Sequence, residues 1–313
     1  MTKTTKVFID GSQGTTGLKI FDRLKKRNDI ELICLSEDKR KDLTARKWAL
    51  NSADIAFLCL PDDAAIEAVK LIENENTVVI DTSTAHRTDE NFAYGFPELS
   101  QTLENKIKNS NRIAVPGCYA SGFIALVKPL TDANFLSPSQ DIFCHAVSGY
   151  SGAGKKGIAQ YESENRDALL DAPREYALTQ QHKHLKEMKI ISGLENEPVF
   201  SPYVCDYFSG MIMTVPVLKK DLKNGVTAED IKNLYKEKYS GKIVKYKESV
   251  DKNGFISAKT MSQKDSMVIT VAGNSDRILL IACYDNLGKG ASGAALECMN
   301  LKMGKAPDFM LDI

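Results

Sequence analysis

No CxxC pair occurs among the seven cysteines, and the four histidines do not join them in clusters at zinc-ligand spacing. That excludes zinc ribbons and CxxC redox modules as readings of this chain. Charge of one sign is not in excess either: 41 basic residues face 41 acidic ones. A net charge near zero gives no electrostatic case for nucleic acid or for an anionic membrane. Long apolar runs are missing. The longest, IAFLCL at 55–60 and ILLIAC at 278–283, fall far below the roughly 20 residues of a membrane span. MTKTTKVFID enters an apolar strand with no h-region or cleavage site before it. The expectation is a cytoplasmic protein with reduced thiols, most of them small core residues. No internal repeat, low-complexity segment or Pro-rich linker interrupts the chain.

The 313 residues, 43% hydrophobic and 26% charged, describe an ordinary globular protein of two domains. The first third alternates short apolar runs with amphipathic stretches. KVFID (6–10), ELICL (31–35), IAFLCL (55–60) and TVVID (77–81) read as strands. Helical patterns cover 16–27, with Leu18, Phe21 and Leu24 on one face, and 62–73. Strands separated by helices imply βαβ units and a parallel sheet, an α/β Rossmann domain. Beyond it, 141–148, 209–218, 267–273 and 277–284 read as longer strands, with Asn274-Ser275-Asp276 as a hairpin turn. Helical patterns lie at 156–170, 228–239 and 291–303. This predicts a second, α+β domain with a mixed or antiparallel sheet. The crossing between domains is expected near Pro116–Cys118.

Three glycine-rich segments and one cysteine carry the chemistry. DGSQGTTGL places Gly11, Gly14 and Gly17 three apart between a strand and a helix. Glycines allow a tight turn and close approach of the backbone to a pyrophosphate, which the helix N-terminus also favours. The second strand runs toward Ser36, followed by EDKRKD. An acidic residue at such a strand end would bind a ribose 2′-hydroxyl. Ser36 with Lys39, Arg40 and Lys41 suits a 2′-phosphate, hence NADPH, unless Glu37 takes the ribose. Cys118 follows Pro116-Gly117, which break a strand, and opens an apolar helix over about 120–130. A helix N-terminus lowers a thiol pKa and offers donors to an oxyanion. Its partner is expected among His182 and His184 in QQHKHLKEM. VSGYSGAGKKG (147–157) and DNLGKGASGAA (285–295) each open a helix after a strand. The first could cradle a phosphate or carboxylate.

FIDGSQGTTGL, FLCLPDDAA, IDTSTAHR, YGFPEL, PGCYASG, VSGYSGAGK, QHKHLKEM and DNLGKGASGAA, in this order, span nearly the whole chain. Together they resemble the short form of the N-acetyl-gamma-glutamyl-phosphate reductases, relatives of the aspartate-semialdehyde and glyceraldehyde-phosphate dehydrogenases. Two positions depart from the family pattern: Leu185-Lys186 stand where Pro usually precedes the acidic residue, and Val115 replaces an Asn before PGC.

The resemblance implies an NADP-binding Rossmann domain over 1–117, a catalytic and dimerisation domain over 118–285, and a C-terminal helix (286–313) returning to the first. It places the nucleophile at Cys118, the acid/base at His184 and a substrate contact at His182. Gly11, Gly14, Thr15, Thr16 and Gly17 match its cofactor turn, Ser148 and Gly149 its substrate pocket, and Asn286 and Lys289 its nicotinamide end. It implies NADPH-dependent reductive dephosphorylation of N-acetyl-L-glutamyl 5-phosphate through a cysteine thioester, in arginine biosynthesis. A homo-oligomer, dimer or tetramer, is expected. A sister acyl-phosphate reductase, such as an aspartate-semialdehyde dehydrogenase, and a non-catalytic nucleotide sensor are the alternatives.

Overall fold

A computed structural model describes residues 4–313. The chain divides into two units, one running up to Pro116 and joined by Ala294–Phe309, the other Gly117–Gly293 with Met310–Ile313.

In the first unit the short apolar runs become β1 (Thr5–Asp10), β2 (Ile30–Ile33), β3 (Ile55–Leu58), β4 (Val78–Asp81), β5 (Ala93–Tyr94) and β6 (Arg112–Ala114). They pair in parallel in the order β2-β1-β3-β4-β6-β5. Helices α1 (Thr15–Leu24), α2 (Leu43–Ser52), α3 (Asp62–Lys70) and α4 (Gln101–Asn109) connect them. Burial on both faces explains why these strands are continuous apolar runs rather than alternating ones. Phe8, Ala56, Leu58 and Val79 pack with Leu50 of α2 and Ala65 and Ala68 of α3. Each large side chain so buried contributes about 1.5–3 kcal/mol. The strand order reverses direction at β1 and β3, so a ligand crevice opens at their carboxyl ends.

Three sequence expectations change here. α1 buries Gly17, Ile20 and Leu24, while Leu18 is exposed, so the packed stripe is rotated from the predicted Leu18–Phe21–Leu24. β2 ends at Ile33, two residues early. α2 is an extra helix in the charged segment, started by the Asp42 carboxylate, which accepts the Ala45 N–H at 2.7 Å.

The second unit contains α5 (Cys118–Asp132), β7 (Phe143–Gly149), α6 (Gly154–Tyr161), β8 (Arg174–Glu175), α7 (Leu185–Ser192), β9 (Val199–Cys205), β10 (Met211–Leu218), α8 (Ala228–Lys238), β11 (Val244–Tyr246), β12 (Met267–Gly273) and β13 (Arg277–Tyr284). A single π-helical turn, Gly288–Ser292, leads into α9 (Gly293–Lys302), most of which belongs to the first unit. The sheet runs β11-β12-β13-β10-β7-β9-β8 and is mixed: β7 pairs with β9 and β11 with β12 in parallel, and the rest are antiparallel.

The predicted helix over 156–170 stops at Tyr161. Arg166 ends it by donating to the Tyr161 carbonyl and to Asp206, both at 2.9 Å, which draws the chain away from the helix axis.

α5 is apolar on nearly every side and almost wholly buried, as a helix at the centre of a core must be. Its Pro129 has no N–H to give the Ala125 carbonyl. The Tyr239 hydroxyl, just past α8, donates to that carbonyl at 2.7 Å, and Tyr235 likewise serves the Leu126 carbonyl. The helix that presents Cys118 is therefore held by hydroxyls from a segment over 100 residues away in sequence.

Candidate active site and cofactor crevice

The glycine turn lies where β1 ends. Gly11 adopts φ +86°, and a Cβ there would lie 2.3 Å from the Cys59 carbonyl oxygen beyond β3. Only glycine fits, because the conformation and the close backbone approach both forbid a side chain. Gly14 is the N-cap of α1, no side chain caps the helix, and its first turn holds no acidic residue. The first N–H groups and the positive dipole end are left for a ligand. Thr15 Oγ1 is buried with no hydrogen-bond partner among the described residues. Thr16 follows in the first turn, and Gly17 is buried beneath it.

Beside this turn is a cavity of about 630 Å³ lined by Gly11, Ser12 and Gln13, by Cys34 and Leu35 past β2, and by Glu37, Arg40, Lys41 and Arg46. Its size and the uncapped helix fit the adenosine diphosphate part of a dinucleotide. Arg40 and Lys41, two of the cations expected near a 2′-phosphate, line this cavity, and so does Glu37. Ser36 does not line it. With β2 ending at Ile33, Cys34 occupies the strand tip, while Ser36 is exposed and hydrogen-bonds the Asp38 carboxylate, holding it below its ordinary pKa.

Sequence reasoning missed Arg46. It is buried under the crevice, donating to Asp10 at 3.1 and 3.0 Å and to Glu67 at 3.1 Å. Burial raises the Asp10 pKa although Arg46 pulls it down. Arg46 braces the end of β1 with its charge matched by the Asp10 and Glu67 carboxylates, and it lines the cavity together with Arg40 and Lys41.

In the second unit Cys118 is the first residue of α5, with Gly117 as N-cap and no side-chain cap. The Gly117 N–H donates at 2.9 Å to Glu187 Oε1, a carboxylate only 2% exposed that sequence reading had not singled out. The Tyr284 hydroxyl donates to the Cys118 carbonyl at 2.7 Å. A Cβ on Gly290 would come within 3.1 Å of Cys118 Cβ, so the turn Gly288–Ser292 needs glycine there to lie against the cysteine. The other thiols differ. Burial pushes Cys59 and Cys283 up to about 12 and Cys144 further. Cys34 is exposed.

Cys118 shares a cavity of about 450 Å³ with Tyr119, Ser148, Gly149, Arg174, Tyr176 and His182. The structure thus brings together Cys118, His182, Ser148 and Gly149. His184, 5% exposed, is the N-cap residue of α7 and does not line the cavity. Its ring lies 4.7 Å from that of His182 and 6.0 Å from Tyr119, between centroids. The Tyr176 hydroxyl donates to that of Tyr119 at 2.8 Å, and burial raises both phenols. Asn286 is buried with both amide ends used: it donates to Ser151 Oγ and accepts from the Gly210 N–H, each at 3.0 Å. It therefore fastens the loop after β7. Lys289 is buried in the π turn.

Comparison with known proteins gives a consistent result. Residues 6–109 match the NAD binding domain of semialdehyde dehydrogenases, and 118–286 their dimerisation domain. N-acetyl-gamma-glutamyl-phosphate reductase of Sinorhizobium medicae is 44% identical over 306 residues, covering 95% of this chain and 98% of that protein. The enzyme of the same name from Brucella ovis is 44% identical over 308 residues, with 96% and 99% covered. Among solved structures, aspartate semialdehyde dehydrogenase II from Vibrio cholerae superposes with a TM-score of 0.72 at 18% identity, over 96% of this chain and 99% of that one. The chain belongs to the N-acetyl-gamma-glutamyl-phosphate reductases, within the semialdehyde dehydrogenase family.

Proposed function

We propose that this chain is an NADPH-dependent reductase converting N-acetyl-L-glutamyl 5-phosphate to N-acetyl-L-glutamate 5-semialdehyde, a cytoplasmic step of arginine biosynthesis. The observation that carries the reading is Cys118 at the uncapped head of α5, in one cavity with His182, Ser148 and Gly149. The family of its relatives supplies the substrate.

Cys118 Sγ attacks the acyl carbonyl. The bond from that carbon to the phosphate oxygen breaks, phosphate leaves, and a thioester remains on Cys118. The first N–H groups of α5 face the charge that develops on the carbonyl oxygen. The Gly11–Gly17 turn, with Arg40 and Lys41 near the adenosine end, would hold NADPH, which when bound would supply the hydride that reduces the thioester. The carbon–sulfur bond then breaks and the thiolate returns. His184, shielded from solvent, gives and takes the proton, and His182, which lines the cavity, holds a substrate oxygen.

A homo-oligomer is part of the same reading. Phe143 and Val199, register partners on β7 and β9, are 58% and 47% exposed. Such an apolar patch on the outer sheet face suits a second copy.

The test is the reverse assay. N-acetyl-glutamate semialdehyde, NADP and phosphate should yield NADPH, and omitting phosphate should abolish the yield. Equal rates with aspartate semialdehyde would move the assignment to a sister enzyme.

A further inference from the structure

Among the described residues, Arg174 is the one lysine or arginine lining the Cys118 cavity. It lies on β8, a two-residue edge strand that sequence reading did not identify. Its guanidinium sits over the Tyr161 ring, 5.4 Å from the centroid, and donates to the Tyr161 hydroxyl at 3.1 Å. These contacts orient the group but leave its charge unmatched, and among the described residues no carboxylate pairs with it. Its neighbour Glu175 also lines the cavity, but its carboxylate is not paired with the guanidinium: it accepts from Ser201 at 2.5 Å and Tyr203 at 3.2 Å. A guanidinium held in this way presents a planar fork of donors to an incoming oxyanion.

Sheet register sets which oxyanion it meets. Arg174 is opposite Val204, Val204 opposite Ser148, Ser148 opposite Met211, and Met211 opposite Tyr284. Residues directly opposite share a face. This row therefore lies along one face of the sheet, and its Tyr284 end holds the Cys118 carbonyl. Arg174 stands two strand spacings beyond Ser148, roughly 9–10 Å, on the side away from Cys118. An acyl phosphate must put its reacting carbonyl, and the phosphate on it, at Cys118. The other end of the short methylene chain carries the α-carboxylate.

Resting on the function proposed above, we infer that Arg174 binds the α-carboxylate of the substrate, with Tyr161 holding its guanidinium in place. Arg174 is then a specificity-determining residue, selecting acyl phosphates whose far end bears a negative charge.

Reverse-direction kinetics separate the two anions, since the carboxylate enters on the semialdehyde and the phosphate enters free. Arg174→Gln should raise KM for N-acetyl-glutamate semialdehyde by about 10- to 100-fold, the loss of a charge-assisted contact. KM for phosphate and for NADP should hold, and Arg174→Lys should recover part of the loss. The α-methyl ester of the semialdehyde gives a readout that does not depend on the variant folding. Wild-type enzyme should suffer a similar penalty with the ester, and Arg174→Gln none further. A rise in phosphate KM alone would reassign the guanidinium to the phosphate. An ester penalty equal in both enzymes, or no penalty in wild type, would overturn the inference. A wild-type protein that makes no NADPH from the unesterified semialdehyde and phosphate would instead defeat the functional reading on which the inference rests.

Discussion

The backbone N–H of His184 donates to Nδ1 of His182 at 3.2 Å. A ring nitrogen that accepts carries no proton, so the neutral His182 ring holds its proton on Nε2. The HKH segment thus orients one histidine through the backbone of the other, which is itself the buried N-cap residue of α7.

The roles proposed for the two histidines can be separated by substitution. His184→Asn should lower kcat by about 10²–10⁴-fold, the range for a positioned proton donor or acceptor, with KM little changed. His182→Asn should raise KM and leave kcat within a few-fold. Steady-state kinetics of both variants decide, and the reverse pattern would exchange the roles.

Thiol labelling should follow exposure and pKa. At pH 8, iodoacetamide should modify Cys118 and the exposed Cys34, and spare Cys59 and Cys283, whose thiols lie at about 12. A thiol that far above the solution pH is almost wholly protonated and unreactive. Inactivation should track Cys118 alone, as peptide mapping over time would show. Cys118→Ser should bind NADPH and turn over negligibly, while Cys34→Ser should remain active.

Preference for NADPH should reside in Arg40 and Lys41. Replacing either with Gln should weaken NADPH by about 10-fold or more and leave NADH unchanged, since each charge-assisted bond contributes about 1.5–3 kcal/mol. Added salt should weaken NADPH binding more than NADH binding. Ser36→Ala, at an exposed residue that bonds Asp38, should change neither by more than about 2-fold. Dissociation constants at two salt concentrations measure all of this. A selective loss in the Ser36 variant would return the serine to the crevice.

Tyr239→Phe should destabilise the second unit by about 1–3 kcal/mol, because it strands the Ala125 carbonyl inside the core. Pro129→Ala restores an N–H one turn along and should recover much of that loss. Urea unfolding of the two single variants and the double variant closes the cycle. Additive effects would mean the carbonyl had found another donor.

Much of this protein is local enough to read from its chain. The strand–glycine–helix turn at Gly11–Gly17 and the Pro-Gly break before Cys118 each sit within about a dozen residues. Their physics is the conformational range of glycine and proline and the free N–H groups of a helix end. The apolar runs of the parallel strands and the Asn274-Ser275-Asp276 hairpin are legible for the same reason. So is α8, whose Thr227 and Asp230 form a capping box.

What lies beyond that is pairing across distance. Ser36 is near the right place in sequence, but β2 ends two residues early and turns it into solvent, so Arg40 and Lys41 line the crevice without it. Arg46 reads as one cation in a charged segment until Asp10, 36 residues away, takes its guanidinium. Gly290 reads as a turn glycine until it lies against Cys118. Glu187 is a helix glutamate until it accepts the Gly117 N–H, 70 residues away. The sequence alone determined which segments turn, which cysteine stands at a helix head and which family the chain resembles, because those depend on neighbours in the chain. Which charges are spent on each other, which carbonyls are repaired and which cation is left for a ligand was decided only by tertiary packing, which sets the partner and the solvent of each group.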